Sequence, residues 1–327
     1  MVPELAVQGR ETLATSLKRY GEEYYQKQGV AYARVDIANE ADIQKLPKDN
    51  VEAVILLAGL LPANLREFKP EDNRLYADTN IKGTINVLEY CRTKNAKKII
   101  FTSSHSDVAG LWASGRPIRE EDPRTLAYGN DHTVYSIAKI ASMDLIEHYS
   151  QRYGVQGISF RLPAVYCYSQ RTGIYVSGRF VKAGFYTFVD KALKGEPIEI
   201  WGNPQKAKDI VYVKDVVGAL VKAIDNSTAH GLYNIATGIG TSLEDEVKGV
   251  IEVFSPPGRK SEILYRPDKP DTLSYVYDIS KARRELGYEV QYPFKKMLED
   301  YKMEMTRQGP AFHYRVGHAK HHEWSKG

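Results

Sequence analysis

From residue 29 to residue 103, short aliphatic and β-branched runs alternate with stretches whose apolar residues recur at helical spacing. "VAYARVDI" (30–37) predicts a strand ending in an acid, "ADIQKL" a short helix, and "VEAVILLAG" (51–59) an almost continuous apolar strand closed by glycine. "NIKGTINVLEYCRTKN" (80–95) predicts an amphipathic helix, and "AKKIIFTSS" (96–104) a buried strand running into hydroxyl residues. A helix from residue 135 then leads to a strand in "GISFRLPAV" (157–165). Uninterrupted apolar strands separated by helices are what a parallel sheet covered on both faces requires, so the expected class is α/β with a doubly wound parallel sheet. Ligands of such sheets sit beyond the carboxyl ends of the strands, which here carry Asp36, Gly59, Ser103 and Ser104.

After residue 165 the texture changes. "YCYSQRTGIYVSGRFVKAGFYTF" is rich in aromatics, glycine and cations and lacks clean periodicity, whereas "PIEIWG", "DIVYVKDVVGALVKAID" and "GLYNIATG" restore strand and helix signals. A smaller C-terminal lobe, interleaved with the first, is therefore expected. Residues 1–165 and 208–236 would form the nucleotide-binding part, 166–207 and 237–310 the substrate lobe, and 311–327 a tail. The tail holds His318, His321 and His322, but no acidic or cysteine ligand accompanies them, and a solvated tail rather than a metal site is expected.

Composition narrows the class without fixing the activity. The 327 residues are 43% hydrophobic and 26% charged, as in ordinary globular proteins, and no apolar run is long enough to cross a bilayer. Cys91 and Cys167 stand far apart with no metal-ligand spacing, which points to a reducing cytoplasmic setting and no metal. The net charge of +4 is interspersed rather than clustered, so nucleic acid is not indicated.

"HTVYSIAK" (132–139) places Tyr135 four residues before Lys139. One helical turn sets the two side chains on the same face, where an ammonium would favour the phenolate and make tyrosine a usable base near neutral pH. The same spacing also arises by chance on any helix with a polar edge. The pair alone leaves both readings open.

Taken in order, "VDIAN", "LLAG", "NIKGTINVLEYC", "IIFTSS", "YSIAK", "DIVYVKDVV", "GLYNIATG" and "DISKARRELGY" resemble the extended short-chain dehydrogenase/reductase family. Within it the chain is similar to the NAD-dependent, nucleotide-sugar epimerase/dehydratase group, from about Val30 to Tyr301. The resemblance implies a Rossmann-like fold, NAD as cofactor with NADP left open, and a homodimer. It also implies roles. Asp36 and Ile37 would meet adenine, and Leu57, Ala58 and Gly59 would let the backbone approach the dinucleotide. Asn80 would hold the loop behind the catalytic residues, with a plain helix cap as the competing account. Pro163 would line the cofactor site. Ser104 would bond the reacting oxygen, Tyr135 would exchange its proton, and Lys139 would also bind the ribose. Lys208 stands where related enzymes usually carry an arginine for a nucleotide diphosphate, and Arg266 would be a second phosphate ligand; a solvated surface cation is the alternative for each.

Three departures bear on the reaction. The segment "HSDVAG" after Ser104 is one residue longer than the epimerase-like pattern, so counting backwards selects His105 or Ser106 instead; the strand end favours Ser104. Related dehydratases carry Thr-Asp-Glu in this segment, whereas Asp107 has no acidic neighbour, which disfavours dehydration. Ala164 replaces a frequent asparagine. The glycine-rich fingerprint is also missing. Residues 1–29 read as the second strand and its helix, with Gly9 alone, and "TGIGTSLED" (237–245) reads as a turn into a helix capped by Ser242 and Asp245. The sheet is therefore expected without its first strand, phosphate loop and first helix. A nucleotide-sugar epimerase is the preferred expectation. An NADP-linked carbonyl reductase and a non-catalytic binding or regulatory protein are the alternatives.

Overall fold

The structure is a computed structural model describing residues 2–17, 22–62, 69–130, 132–169, 172–176 and 179–308. The expected tail, with His318, His321 and His322, lies outside the described residues. The chain opens on helix α1 (Val2–Val7), strand β1 (Leu13–Ser16), helix α2 (Glu22–Lys27) and strand β2 (Ala31–Arg34). Helix α3 (Glu40–Ile43), strand β3 (Ala53–Leu56), helix α4 (Asp72–Tyr76), a π-turn (Ala77–Lys82) and helix α5 (Gly83–Thr93) follow. Next come β4 (Lys98–Ser104), a 3-10 turn (His105–Leu111), the long helix α6 (Thr133–Tyr153), β5 (Gln156–Leu162) and β6 (Ala164–Tyr166). The hairpin β7 (Gly173–Val176) and β8 (Arg179–Lys182) leads to α7 (Gly184–Lys194), β9 (Ile198–Trp201), β10 (Ala207–Tyr212) and α8 (Val213–Asp225). Last are β11 (Gly231–Asn234), β12 (Gly240–Ser242), α9 (Leu243–Phe254), β13 (Ile263–Arg266), α10 (Ser280–Leu286) and α11 (Phe294–Gln308).

The parallel α/β sheet expected from the apolar runs is present, ordered β11–β5–β4–β3. Side chains of β4 alternate between its faces, as period-two geometry demands. Ile99 and Phe101 pack with Leu88 and Ile146 on one side, and Ile100 packs with Phe160 and Leu220 on the other. Strands β1 and β2 pair in parallel only with each other, and β3 pairs only with β4, among the described residues. One detail differs from the reading of residues 1–29 as one strand and one helix. A short helix, α1, precedes the strand because Leu5 finds cover in the cluster that holds Ile100 and Ile158.

"GISFRLPAV" is not one strand. Pro163, which has no N–H to give a ladder, hands the chain from β5 in the main sheet to β6 in a second sheet ordered β12–β10–β6. A separate cluster of Phe185, Ile198, Ile200, Ile210, Val247 and Leu298 forms the core around α7, β9, α9 and α11. Residues Tyr275, Tyr277, Ile279 and Leu286, by contrast, pack into the cluster of the main sheet. Ser242 caps α9 as expected, accepting from the Asp245 N–H at 3.0 Å.

The carboxyl edge of the main sheet is organised by Arg161 at the end of β5. Its side chain and that of Asp107 are wholly buried and bonded through both forks, at 3.0 and 2.9 Å. Arg161 also donates to the Arg119 carbonyl at 3.2 Å and to Asn234 Oδ1 at 3.1 Å. Removing one partner of a buried pair strands the other charge, so Asp107→Asn is expected to lower unfolding free energy by about 3–5 kcal/mol in urea titrations. The double variant Asp107→Leu/Arg161→Met should lose less than that single change; an equal or larger loss would show that the pair itself, rather than the stranded charge, carries the stability.

Candidate active site

Helix α6 brings the central residues together. Its buried stripe runs Tyr135, Ala138, Lys139, Ser142, Met143, Ile146 and Tyr149, and Gly154 ends it in the left-handed region at φ 73°. Tyr135 is 8% exposed and Lys139 4%, and both lie over the end of β4. The Tyr135 phenol faces the Ser104 hydroxyl, which draws its pKa down against the effect of burial, so the phenol does not end in hydrocarbon. The Tyr76 ring of α4 meets the Tyr135 ring edge-on at 6.3 Å between centroids.

The expectation that Lys139 acidifies the phenol is not met in the free chain. Lys139 Nζ donates to the Thr102 carbonyl at 2.8 Å and lies over the Phe101 ring at 4.4 Å, 5.9 Å from the centre of the Tyr135 ring. Burial pushes the Tyr135 phenol above its ordinary value, and only the neighbouring Ser104 hydroxyl draws it back. A long flexible stem lets the ammonium find a carbonyl instead of the phenol one turn away.

Three candidates for the serine position are separated by their surroundings. Ser104 caps the 3-10 turn, accepting from the Ser106 N–H at 3.3 Å, and it is Ser104 that meets Tyr135. Ser106 bonds Ser104 at 3.0 Å between their oxygens. His105 turns the other way, stacked 4.9 Å from Trp112 and against Tyr275. Burial, with Arg161 adding to it, lowers this imidazole to about 4, so it is neutral at physiological pH. Asp107 is committed to Arg161. It offers no free acid for elimination, in line with the expectation that dehydration is disfavoured.

Asn80 does not cap a helix. It lies within the π-turn, where its side-chain amide takes the Leu60 N–H at 2.7 Å and donates to the Leu60 carbonyl at 3.0 Å. Thr84 and Ser142 donate to its main-chain carbonyl at 2.6 and 2.8 Å, tying α5 and α6 to the same point. Such local widening of a helix often marks a functional place, and the apolar pattern of 80–95 gives no sign of it. Gly59 sits against this group, since a Cβ there would lie 3.2 Å from Asn80 Oδ1 and 3.7 Å from Lys139 Nζ. Leu57 and Ala58 are exposed beside it.

On the neighbouring strand end, Asp36 uses one carboxylate oxygen on the Ala38 N–H at 2.9 Å, a local turn bond. Ile37 packs on Gly83, where a Cβ would come within 2.7 Å, and its carbonyl accepts from Asn86 at 2.8 Å. Pro163 is buried between β5 and β6.

The two expected phosphate cations are both paired. Lys208 meets the wholly buried Glu246 at 3.1 Å, and Tyr166 donates to the other Glu246 oxygen at 2.7 Å. Arg266, on β13, meets Glu199 of β9 at 3.1 Å. Glu246 went unrecognised in the sequence because an acid on a helix ordinarily faces water. The available signal was its place on the apolar stripe of Leu243, Val247 and Val250. Ser136, Thr84 and Ser142 were missed likewise. Among the described residues no group of three or more acidic, histidine or cysteine residues is placed to hold a metal, and no helix is long and apolar enough to cross a membrane.

The model of the NAD dependent epimerase/dehydratase family matches residues 1–236. The chain belongs to this family. A putative UDP-glucose 4-epimerase of Methanocaldococcus jannaschii is 28% identical over 272 residues, covering 82% of this chain and 81% of the relative. UDP-glucuronate 4-epimerase 3 of Arabidopsis thaliana is 28% identical over 310 residues, covering 88% of this chain and 67% of its own. The fold is shared with a Thermotoga maritima UDP-glucose 4-epimerase solved with UDP-glucose, at TM-score 0.75, 24% identity and 94% coverage of both chains.

In this family member the lysine has a pH signature of its own. Burial lowers Lys139 from 10.5 to about 8. Between those values the unfolded chain holds a proton that the folded chain has released, so stability rises with pH across the window and the gain is lost as pH falls through 8. The difference in unfolding free energy between wild type and Lys139→Met should climb by roughly 3 kcal/mol over that span. A flat difference would mean that the ammonium is well solvated.

Proposed function

We propose that the protein is a nucleotide-sugar epimerase that uses bound NAD transiently, with NADP left open. The observation that carries this reading is the buried pair of Tyr135 and Lys139 on one face of α6, with the Ser104 hydroxyl facing the phenol at the carboxyl end of β4. Family membership and the UDP-sugar 4-epimerases among its relatives support the substrate class.

The residues present fit the ribose and nicotinamide end of a dinucleotide. Gly59 leaves open a cradle that a Cβ would fill, and Asn80 and Lys139 stand at its wall. In this proposal Asp36, Ile37, Leu57, Ala58, Gly59, Asn80, Lys139 and Pro163 hold the cofactor, which when bound takes a hydride from the sugar and returns it. Ser104 orients the reacting hydroxyl. Tyr135 accepts the hydroxyl proton as hydride leaves the same carbon, and gives it back once hydride has returned to the opposite face. Lys208 and Arg266 bind the diphosphate after exchanging their carboxylate partners for it. A homodimer through α5 and α6 belongs to the proposal, supported by the exposed Ile137 and Tyr153 of α6, as does a cytoplasmic setting, supported by the free thiols of Cys91 and Cys167.

Incubation with UDP-glucose and substoichiometric NAD should yield the C4 epimer without accumulating NADH. Tyr135→Phe should reduce that turnover by about 10²–10⁴-fold while NAD binding persists. Net consumption of one reduced cofactor per carbonyl compound would instead identify a reductase, and failure to bind either dinucleotide at millimolar concentration would identify a non-catalytic protein.

Glu246 supplies a second test. Its carboxylate offsets the Lys208 charge, so Glu246→Gln should tighten UDP binding in calorimetry by about 1 kcal/mol, roughly fivefold. Unchanged or weaker binding would remove Lys208 from the diphosphate site.

A further inference from the structure

The turn "TGIG" (237–240) leads from β11 of the main sheet to β12 of the second and closes on the carboxylate of Asp209. Asp209 lies on β10, next to Lys208, and is wholly buried. One of its oxygens accepts from the Thr237 N–H at 2.8 Å and from the Thr237 hydroxyl at 2.6 Å. The other accepts from the N–H groups of Gly238 at 3.0 Å and Tyr277 at 3.3 Å. Gly238 reaches this arrangement in the left-handed region, at φ 73°. Successive N–H groups turned toward one point make a seat for an anion, and here the chain's own carboxylate takes it.

The donors to Asp209 belong to segments that frame Lys208. Strand β12 pairs antiparallel with β10, Thr241 opposite Lys208 and Gly240 opposite Asp209. It runs directly into α9, where Glu246 meets the Lys208 ammonium at 3.1 Å. Tyr277 belongs to the segment that pairs along the other edge of β10. There Tyr275 gives its N–H to the Ala207 carbonyl at 3.1 Å, and its own carbonyl takes the Asp209 N–H at 2.8 Å. Neighbouring side chains of a strand point to opposite faces, so Asp209 sits behind the strand that carries Lys208 in front.

We infer that Asp209 is a positioning residue of the diphosphate site, whose carboxylate fixes β10, the turn into β12 and residues 275–277 against one another and so sets where the Lys208 ammonium stands relative to Glu246. The inference rests on the reading of Lys208 as a ligand of the diphosphate; Asp209 itself touches no substrate in it. An asparagine cannot take its place. The amide has one acceptor oxygen and one N–H2, so one end of it sets a donor against the N–H groups that now meet an oxygen. The turn is then released, and with it the start of the helix that carries Glu246.

Calorimetry of the full chain with UDP tests this. Lys208→Met should weaken UDP binding by about tenfold, the loss of one charge-assisted contact. Asp209→Asn should weaken it by a similar factor or less, with NAD affinity held at its wild-type value. UDP should bind the double variant Asp209→Asn/Lys208→Met as it binds Lys208→Met alone, because a positioning residue then has nothing to position. Thr237→Val removes one of the four bonds and keeps the backbone donors, so it repeats the cycle in milder form should Asp209→Asn not fold; its expected loss is about threefold. Thr237→Ser, which keeps the hydroxyl, should restore wild-type affinity. Additive losses in the double variant, a parallel loss of NAD affinity, or undiminished UDP binding in both Asp209→Asn and Thr237→Val would overturn the inference and leave Lys208 in its site. Unchanged UDP binding in Lys208→Met would instead strike the diphosphate reading, and the inference with it.

Discussion

A guanidinium taken wholly out of water must be met on each of its edges, and Arg161 imposes that requirement on the carboxyl end of the sheet. Asp107, the Arg119 carbonyl and Asn234 answer it. Asn234 in turn donates to the carbonyls of Ile118 and Asp278, both at 3.0 Å. The planar fork accepts partners only in fixed directions, so segments from the 3-10 turn, residues 116–120, β11 and the approach to α10 are locked relative to β5. Ser104 and Ser106 flank His105 immediately before Asp107. With Asp107 drawn inward to the arginine, the turn leaves His105 against Trp112 and presents both serine hydroxyls to α6. The placement of the hydroxyl that meets Tyr135 is thus a consequence of an ion pair that touches no ligand.

The same residues are supported from behind by a second fixed point. The Asn80 carbonyl gathers Thr84 and Ser142, while its side chain grips Leu60, so α5, α6 and the loop after β3 converge on one residue. Lys139 adds a bond to β4 through Thr102. Constellations hold their geometry when their own supports are bonded in the absence of ligand, and these supports are all internal to the chain.

What the sequence disclosed, and what it concealed, follows from how each feature is encoded. Strands covered on both faces must be apolar throughout, and "VEAVILLAG" and "AKKIIFTSS" show this directly. Helical spacing likewise puts Tyr135 and Lys139 on one face. It does not say where a four-carbon stem ends, and the ammonium found a carbonyl. The choice between Ser104 and His105 was undecidable by counting because the segment is a residue longer than the pattern. Its solution lies in the Asp107–Arg161 bond, between residues 54 positions apart. Lys208 read as a free cation because its buried partner, Glu246, comes from a helix whose charged residues otherwise face water. Asp36 read as a ligand-facing acid, and the sequence did not disclose that one of its carboxylate oxygens also takes the Ala38 N–H in the turn that follows β2. Contacts made across large sequence separation leave no local trace.

The turning of Lys139 toward Thr102 has a chemical logic. A group that accepts a proton and returns it within one turnover is served best by surroundings that hold both of its states at similar cost. A fixed cation against the phenol would favour the phenolate throughout and make return of the proton harder. A hydroxyl can give or accept a hydrogen bond by rotation about one bond, so a serine beside the phenol is compatible with both of its states. In the free chain burial holds the phenol high and lowers the lysine to about 8, so near neutral pH the phenol is uncharged and the lysine keeps most of its positive charge. That charge rests on the Thr102 carbonyl and remains available to whatever polar group enters beside Gly59.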